Sequence, residues 1–445
     1  MVRGINSIST GLGITTHYAK GFNYGKLIDP AIKAVDELNL RHTKKGQFLK
    51  WVELPKEQLK RVDYIYEAVK NFKNQSPAKF LTVIGIGGSK HPVEHMLNIN
   101  GLNLDNQVKF ISDIDSVSYK RYMATIGNDV RNSNYLIVSK SGSTYEPSDA
   151  FIRTQDMMKE AYFSEIYNDY DAEQLANKHF VAVTDQNPQK SQLRRTADEQ
   201  SWFGKFYIHD DVGGRFSSFD DHTLFTLAYA GMKKPDMIKM LQGADGMSSI
   251  AMSKDLTLND PLAQAAFWVQ AKLKGIQTTV HEYLGSLFEN GTINWHAQMQ
   301  NESIKDTLKQ IAKIPDAMHH SSEAHFNSSN KFAFALTSIA DYGILKENAK
   351  GYTDAMCKTY SSFGPFFNQV VETEGLGLKP EAAGAMTQSL GFATVYQGLI
   401  DMFQAKKEIP EVLPTVIQDN VEEYKKNLKP NAKGESVVVA GRVFG

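Results

Sequence analysis

An α/β fold of doubly wound parallel sheets is what this chain predicts, on three observations. Short apolar runs rich in β-branched residues alternate with helix-length stretches, two of the runs end in Gly- or Ser-rich loops, and a proline marks the helix start after each loop. The first run, Phe80-Leu-Thr-Val-Ile-Gly-Ile86, passes through Gly87, Gly88 and Ser89 to Pro92, which suits a first helical turn. Tyr135-Leu-Ile-Val138 repeats the pattern, followed by Ser139-Lys-Ser-Gly-Ser-Thr144 and by Glu146-Pro147 opening a longer helix. His179-Phe-Val-Ala-Val183 and Lys205-Phe-Tyr-Ile208 are two more strand candidates. Such an alternation presents ligands beyond the carboxyl ends of strands, where both polar loops fall.

A second α/β region begins near Gly275, with Gln277-Thr-Thr-Val-His-Glu-Tyr283 reading as a strand and Lys331-Phe-Ala-Phe-Ala-Leu336 as another. The stretch from Ala230 to Gln270 reads as mainly helical and could belong to either region. The expected division is 66–230 for the first domain and 1–65 with 231–445 for the second, with 429–445 weakly patterned enough to be a tail.

Bulk properties narrow the function classes. At 445 residues the chain can bury two cores, and 42% apolar with 22% charged residues is ordinary globular composition. Lys plus Arg (49) nearly balance Asp plus Glu (50), so no global field favours nucleic acid. The lone cysteine, Cys357, cannot close an intramolecular disulfide, no apolar run reaches membrane-spanning length, and the amino terminus carries no signal-like segment. A cytoplasmic protein without nucleic-acid or membrane partners is expected.

Four scattered segments carry candidate chemistry. Gly85-Ile-Gly-Gly-Ser89 follows a strand but lacks the full Gly-x-Gly-x-x-Gly spacing and an acidic ribose contact, which disfavours a dinucleotide. Ser139, Lys140, Ser141, Ser143 and Thr144 crowd four hydroxyls and an ammonium into six residues, a composition suited to cradling a phosphate through hydroxyls and N–H groups. In Gly213-Gly-Arg-Phe-Ser217 the paired glycines permit close backbone approach beside Arg215. Gln298 and Glu302, four residues apart, share one face if helical, and the glutamate could move a proton. His91 and His95 also stand at i, i+4, but no Glu follows the first histidine as in a metalloprotease helix, and no metal is expected.

These segments, in this order, resemble the glucose-6-phosphate isomerase family, whose loops read Gly-Ile-Gly-Gly-Ser, Ser-Lys-Ser-Gly-Thr-Thr, Gly-Gly-Arg-Tyr/Phe-Ser and Gln-x-x-x-Glu-Ser; the resemblance runs from about residue 45 to residue 428. It implies two sugar-isomerase (SIS) domains, each an αβα sandwich, and interconversion of glucose 6-phosphate and fructose 6-phosphate through an enediol, with no cofactor. Ser139, Ser141 and Thr144 would hold the 6-phosphate with Lys140 nearby, and Gly88 and Ser89 would contact the sugar end. Glu302 would be the base between C1 and C2, Gln298 would lie beside the substrate, and Arg215 would face the developing charge. Met318-His-His-Ser-Ser-Glu-Ala324 partly resembles the family's ring-opening segment; His320 gives the best register, with His319 and His325 open as alternatives. Gln418-Asp-Asn-Val-Glu-Glu-Tyr-Lys425 resembles a closing segment in which Gln418 and Lys425 complete the site. Family membership further implies a homodimer with the site near the subunit interface.

The chain departs from the family around the pocket. Lys90-His91-Pro92 follows Ser89, Phe216-Ser-Ser-Phe-Asp-Asp221 replaces a more apolar continuation, Ile304-Lys305-Asp306 follows the Glu-Ser pair, and Asp419-Asn420 stands where a glycine is expected. These changes bear on the substrate more than on the reaction. They open two alternatives: the same isomerisation on a hexose with another 6-anion, such as 6-deoxy-6-sulfoglucose, with Lys90 and His91 as the residues concerned, and a non-catalytic sugar-phosphate sensor.

Overall fold

The computed structural model describes residues 5–102, 104–113, 115–142, 144–276, 278–304, 308–314, 331–340 and 346–416. Among the described residues, eleven strands of four or more residues build two sheets. They are β1 (Ile5–Ser9), β2 (Ile14–Phe22), β3 (Phe80–Ile84), β4 (Val108–Ile111), β5 (Ser133–Val138), β6 (Phe180–Thr184), β7 (Gly204–Tyr207), β8 (Thr278–Leu284), β9 (Leu308–Ile314), β10 (Phe332–Ile339) and β11 (Phe366–Val371).

The first sheet is all parallel in the order β4-β3-β5-β6-β7. Its inner strands are apolar runs because both faces are covered. Along β3, Phe80 and Ile84 enter one core while Leu81 and Val83 enter the other. The same alternation divides Tyr135 and Ile137 from Leu136 and Val138 on β5, and Phe180 and Ala182 from Val181 and Val183 on β6. One side is capped by helices that supply Tyr122, Phe151 and Met158; the other merges with the large core of the molecule.

The second sheet runs β1-β2-β11-β10-β8-β9. Its strands β9, β8, β10 and β11 are parallel, and the hairpin β1-β2 joins antiparallel along β11. The hairpin was not anticipated from sequence: its alternation of small polar and apolar residues across Ile14-Thr-Thr-His-Tyr-Ala-Lys-Gly-Phe22 is weak, and pairing to a strand some 350 residues downstream leaves no local signal. On β10, Phe332, Phe334 and Leu336 pack under Met356 and Tyr360 of the helix Lys346–Phe363, while Ala333 and Ala335 face the main core.

The helical middle reads as expected, with helices at Lys234–Ala251 and Asp260–Leu273. Pro92 lies in the first turn of the helix His91–Ile99, and Pro147 in that of Tyr145–Ile166. The helix Pro380–Gln404 is buried from Ala382 to Ile400. No helix among the described residues is both long and apolar enough to cross a membrane.

In the first sheet the chain runs outward from β3 to β4 and then crosses back over β3 to β5 and on to β6 and β7, so the crevice beyond β3 and β5 is its topological switch point. The second sheet repeats this with β8 between β9 and β10. The helices that follow β3 and β8, His91–Ile99 and Asn290–Ser303, pack on each other so closely that a methyl on Gly291 would lie 2.6 Å from the Glu94 carbonyl carbon. That contact brings the two sheets' leading loops to one place.

Candidate active site

The loop after β3 and the loop carrying Arg215 touch backbone to backbone. A methyl on Gly88 would stand 2.4 Å from the Gly214 carbonyl carbon, so only glycine fits there, and Ser217 Oγ donates to both Gly88 O (3.0 Å) and Gly214 O (2.7 Å). Gly87 borders Gln298 in the same way, with 3.1 Å between a methyl placed there and Gln298 Nε2.

Arg215 is enclosed by this packing, its side chain only 1% exposed. Each guanidinium nitrogen has a partner: Nε donates to Ser303 Oγ at 2.9 Å, Nη1 to Glu302 Oε2 at 3.2 Å and Nη2 to the Thr415 carbonyl at 3.0 Å. Trp295 Nε1 donates to the Arg215 carbonyl at 2.9 Å, fixing the backbone as well. Burial pulls the guanidinium down from its usual range while the Glu302 carboxylate opposes that pull. Arginine remains charged under such opposition.

Gln298 and Glu302 do share one face of the helix Asn290–Ser303, with Gln298 Nε2 donating to Glu302 Oε1 at 3.0 Å. Both carboxylate oxygens are thus held from the protein side, although the glutamate side chain is 43% exposed. Gln298 Oε1 is buried and has no partner among the described residues. A carboxylate accessible to solvent, backed by a buried cation and flanked by an unsatisfied amide oxygen, is equipped to exchange a proton with a polyhydroxylated ligand.

The loop after β5 is ordered from within. Ser139 Oγ accepts from Gly142 N (3.1 Å), and Gln192 N donates to Ser141 O (3.0 Å). Ser141 and Thr144 are exposed, and Thr144 precedes the helix Tyr145–Ile166, whose N-terminus opens on this loop. Lys140 Nζ donates to the Asp210 carbonyl at 2.7 Å, tying this loop to the one that carries Arg215.

Lys90 and His91 are occupied differently from a free cationic pair. Lys90 Nζ donates to Ser112 Oγ (3.0 Å) and lies 3.7 Å from Glu94, while His91 Nδ1 is 3.4 Å from the same carboxylate. His95 points elsewhere: it is fully buried, bonds Thr292 and Thr387 through its two ring nitrogens (3.0 Å each) and stacks on Trp295 at 4.0 Å. Burial pushes it down to about 3. His320, Gln418 and Lys425, with the alternatives His319 and His325, lie outside the described residues.

Sequence reasoning missed Ser303, Trp295 and the Thr415 carbonyl as supports of Arg215. Ser303 was legible as the serine of the Glu-Ser pair. A backbone carbonyl 200 residues away has no sequence signature.

This architecture has solved counterparts. A hypothetical protein of Thermus thermophilus superposes with a TM-score of 0.72 at 20% identity, over 91% of this chain and 94% of that one. A glucose-6-phosphate isomerase of Chlamydia trachomatis superposes with a TM-score of 0.73 at 18% identity, over 95% and 88%. The parallel sheets and their flanking helices define a SIS-type phosphosugar-isomerase fold. In sequence, the chain is 28% identical over 329 residues to the glucose-6-phosphate isomerase of Streptococcus pneumoniae serotype 4, covering 68% of each chain, and 33% identical over 239 residues to that of Clostridioides difficile, covering 50% and 49%. No protein-family model matches the chain. Motifs, fold and relatives agree, and the chain is similar to glucose-6-phosphate isomerases at the divergence these identities show.

Proposed function

We propose that the protein is an aldose-ketose isomerase interconverting glucose 6-phosphate and fructose 6-phosphate. The observation that carries this reading is the exposed Glu302 carboxylate held between Gln298 and the buried Arg215. Glu302 takes the proton from C2 of the open-chain aldose as the carbonyl at C1 becomes an enediolate oxygen, the O2 hydroxyl proton passes to O1, and Glu302 returns its proton to C1 as the carbonyl forms at C2; the reverse reaction begins at C1. Arg215 offsets the enediolate charge from a position fixed beforehand. Ser139, Ser141 and Thr144 hold the 6-phosphate with Lys140 nearby, and Gly88, Ser89 and Gln298 line the sugar. As the family resemblance implies, His320 with Lys425 opens the ring and Gln418 completes the site. The scheme uses no metal or cofactor. A cytoplasmic homodimer with the site near the subunit interface, and a division into 66–230 and 1–65 with 231–445, belong to the same reading; the two separate sheets support the division.

Two observations weigh on the alternatives. Lys90 and His91 both lean on Glu94, which leaves little cationic character to retune the site for a sulfonate. A sensor would need no carboxylate poised on a buried arginine. The test is steady-state turnover of fructose 6-phosphate beside 6-deoxy-6-sulfofructose in a coupled dehydrogenase assay. Turnover of about 10 per second on the phosphate supports the proposal. Turnover on the sulfonate alone moves the substrate and keeps the mechanism, and binding of both without turnover makes the protein a sensor.

A further inference from the structure

The acidic pair Asp220-Asp221, which departs from the more apolar continuation that the family resemblance implies, is not explained by the isomerase reading. Both residues are buried at the start of the helix Asp221–Tyr229, and each meets a basic side chain from another part of the chain. His209 Nδ1 bonds Asp220 Oδ1 at 2.7 Å, and Arg61 Nη2 bonds Asp221 Oδ2 at 2.6 Å with Gln58 donating to Oδ1 at 2.8 Å. His209 and Asp220 are the two ends of the loop that carries Gly213, Gly214 and Arg215. Their bond closes that loop across its base.

Between the ends, the loop is pinned at Asp210 by Lys140, at Asp211 by the Lys50 and Gly46 amides, and at Phe216 by stacking on Trp51. Asp220 bonds no second basic side chain among the described residues: its Oδ1 also accepts from the Asp221 amide, and its Oδ2 is buried with no partner among them. Without the imidazole, a carboxylate that is 0% exposed would be left to the helix N-terminus alone, which favours a rearranged loop.

We propose, resting on the isomerase reading, that His209 is a positioning residue for Arg215: its bond to Asp220 closes the loop and fixes the guanidinium against Glu302. The groups facing His209 are Asp220 and Asp221 from the helix, Glu57 from the helix Leu54–Gln58, and, one layer out, Arg61 on Asp221, Lys50 on Glu57 and Lys140 on the Asp210 carbonyl. His222 is fully buried beside Asp220. Burial disfavours the imidazolium, but the bond to Asp220 and the surrounding carboxylates override it, so His209 titrates above its ordinary value. The strap is strongest with the ring protonated and weakens as pH rises through that pKa.

The experiment compares native protein, His209→Ala and His209→Asn. Turnover of fructose 6-phosphate is followed from about pH 6 to about pH 9, and amide hydrogen exchange of residues 209–217 is followed without substrate. His209→Ala should lower kcat by roughly ten- to a hundredfold with KM within about threefold, since misplacing a group by an ångström costs on that scale, and should speed exchange in the loop. His209→Asn places a neutral N–H near the Nδ1 position, so it should restore most of kcat while losing the alkaline decline of the native protein. Native kcat in His209→Ala, or an unchanged alkaline decline in His209→Asn, overturns the proposal; where His209→Ala does not fold, the His209→Asn profile decides. If the native protein turns over no sugar phosphate, the isomerase reading fails separately, and loop exchange unchanged in His209→Ala overturns the strap.

Discussion

Arg215 and Glu302 stand 3.2 Å apart, nitrogen to oxygen, one side chain sealed in the protein and the other half open to solvent. The pair is asymmetric by construction. The cation cannot leave, because Ser303 and the Thr415 carbonyl hold its other nitrogens, whereas the carboxylate, open to solvent, can turn toward a ligand by exchanging its bonds from Arg215 and Gln298.

Glu302→Gln should therefore abolish proton transfer and leave binding nearly intact. The amide keeps a carbonyl oxygen for Arg215, so the site should keep its shape. Loss of a general base is expected to lower kcat by about 10²- to 10⁴-fold with a small change in KM, read in the coupled assay. Native turnover in this variant would remove the base assignment.

Arg215→Lys keeps the charge but offers one nitrogen where three are engaged. At least two of the contacts to Ser303, Glu302 and Thr415 must go, and the ammonium cannot span the same distances. A fall in kcat of about 10²- to 10³-fold is expected. Thermal denaturation should also show destabilisation, since the partners are left buried without a donor.

Gly88→Ala places a methyl against the Gly214 carbonyl carbon, where neither backbone can give way without moving the loops. A loss of about 1–3 kcal/mol of stability is expected from such overpacking. Activity should fall further than stability does, because both displaced loops border the site. Calorimetry and kinetics on one sample separate the two effects.

Asp260 sets a pH dependence of stability far from the site. It is fully buried at the start of the helix Asp260–Leu273, its Oδ2 accepting from Thr16 and Gln264, and burial raises its pKa to about 6. Because the folded pKa lies above the unfolded one, near 3.9, the native state holds its proton longer. The contribution is therefore fully present below about pH 4 and is lost as pH rises toward 6, by on the order of 2–3 kcal/mol. Asp260→Asn should flatten this part of the stability curve and raise the melting temperature above pH 7. An unchanged slope between about pH 4 and 6 in the variant would contradict the assignment.

What could be read in the sequence follows the range of the forces involved. The strands β3, β5 and β6 were legible because burial on both faces writes a continuous apolar run into consecutive residues. Gln298 and Glu302 were legible because one helical turn links them. The hairpin β1-β2, the Thr415 support of Arg215 and the strap from His209 to Asp220 were not, since each depends on partners brought together only by the finished fold. Lys90 and His91 looked available for a ligand as sequence; Glu94, one turn later, occupies both.

The strand order of the two sheets has a reading in terms of symmetry. Four parallel strands in the same order, each set led by a strand, a loop and a helix, with those two helices in backbone contact, is a layout that two copies of one unit related by a two-fold axis would also produce. In such a dimer every substitution appears twice, so an acid introduced on one leading helix is introduced on the other as well. Within one polypeptide the two units need not mirror each other. Here the two leading helices differ: Glu302 ends one of them beside Arg215, while Glu94 on the other engages Lys90 and His91.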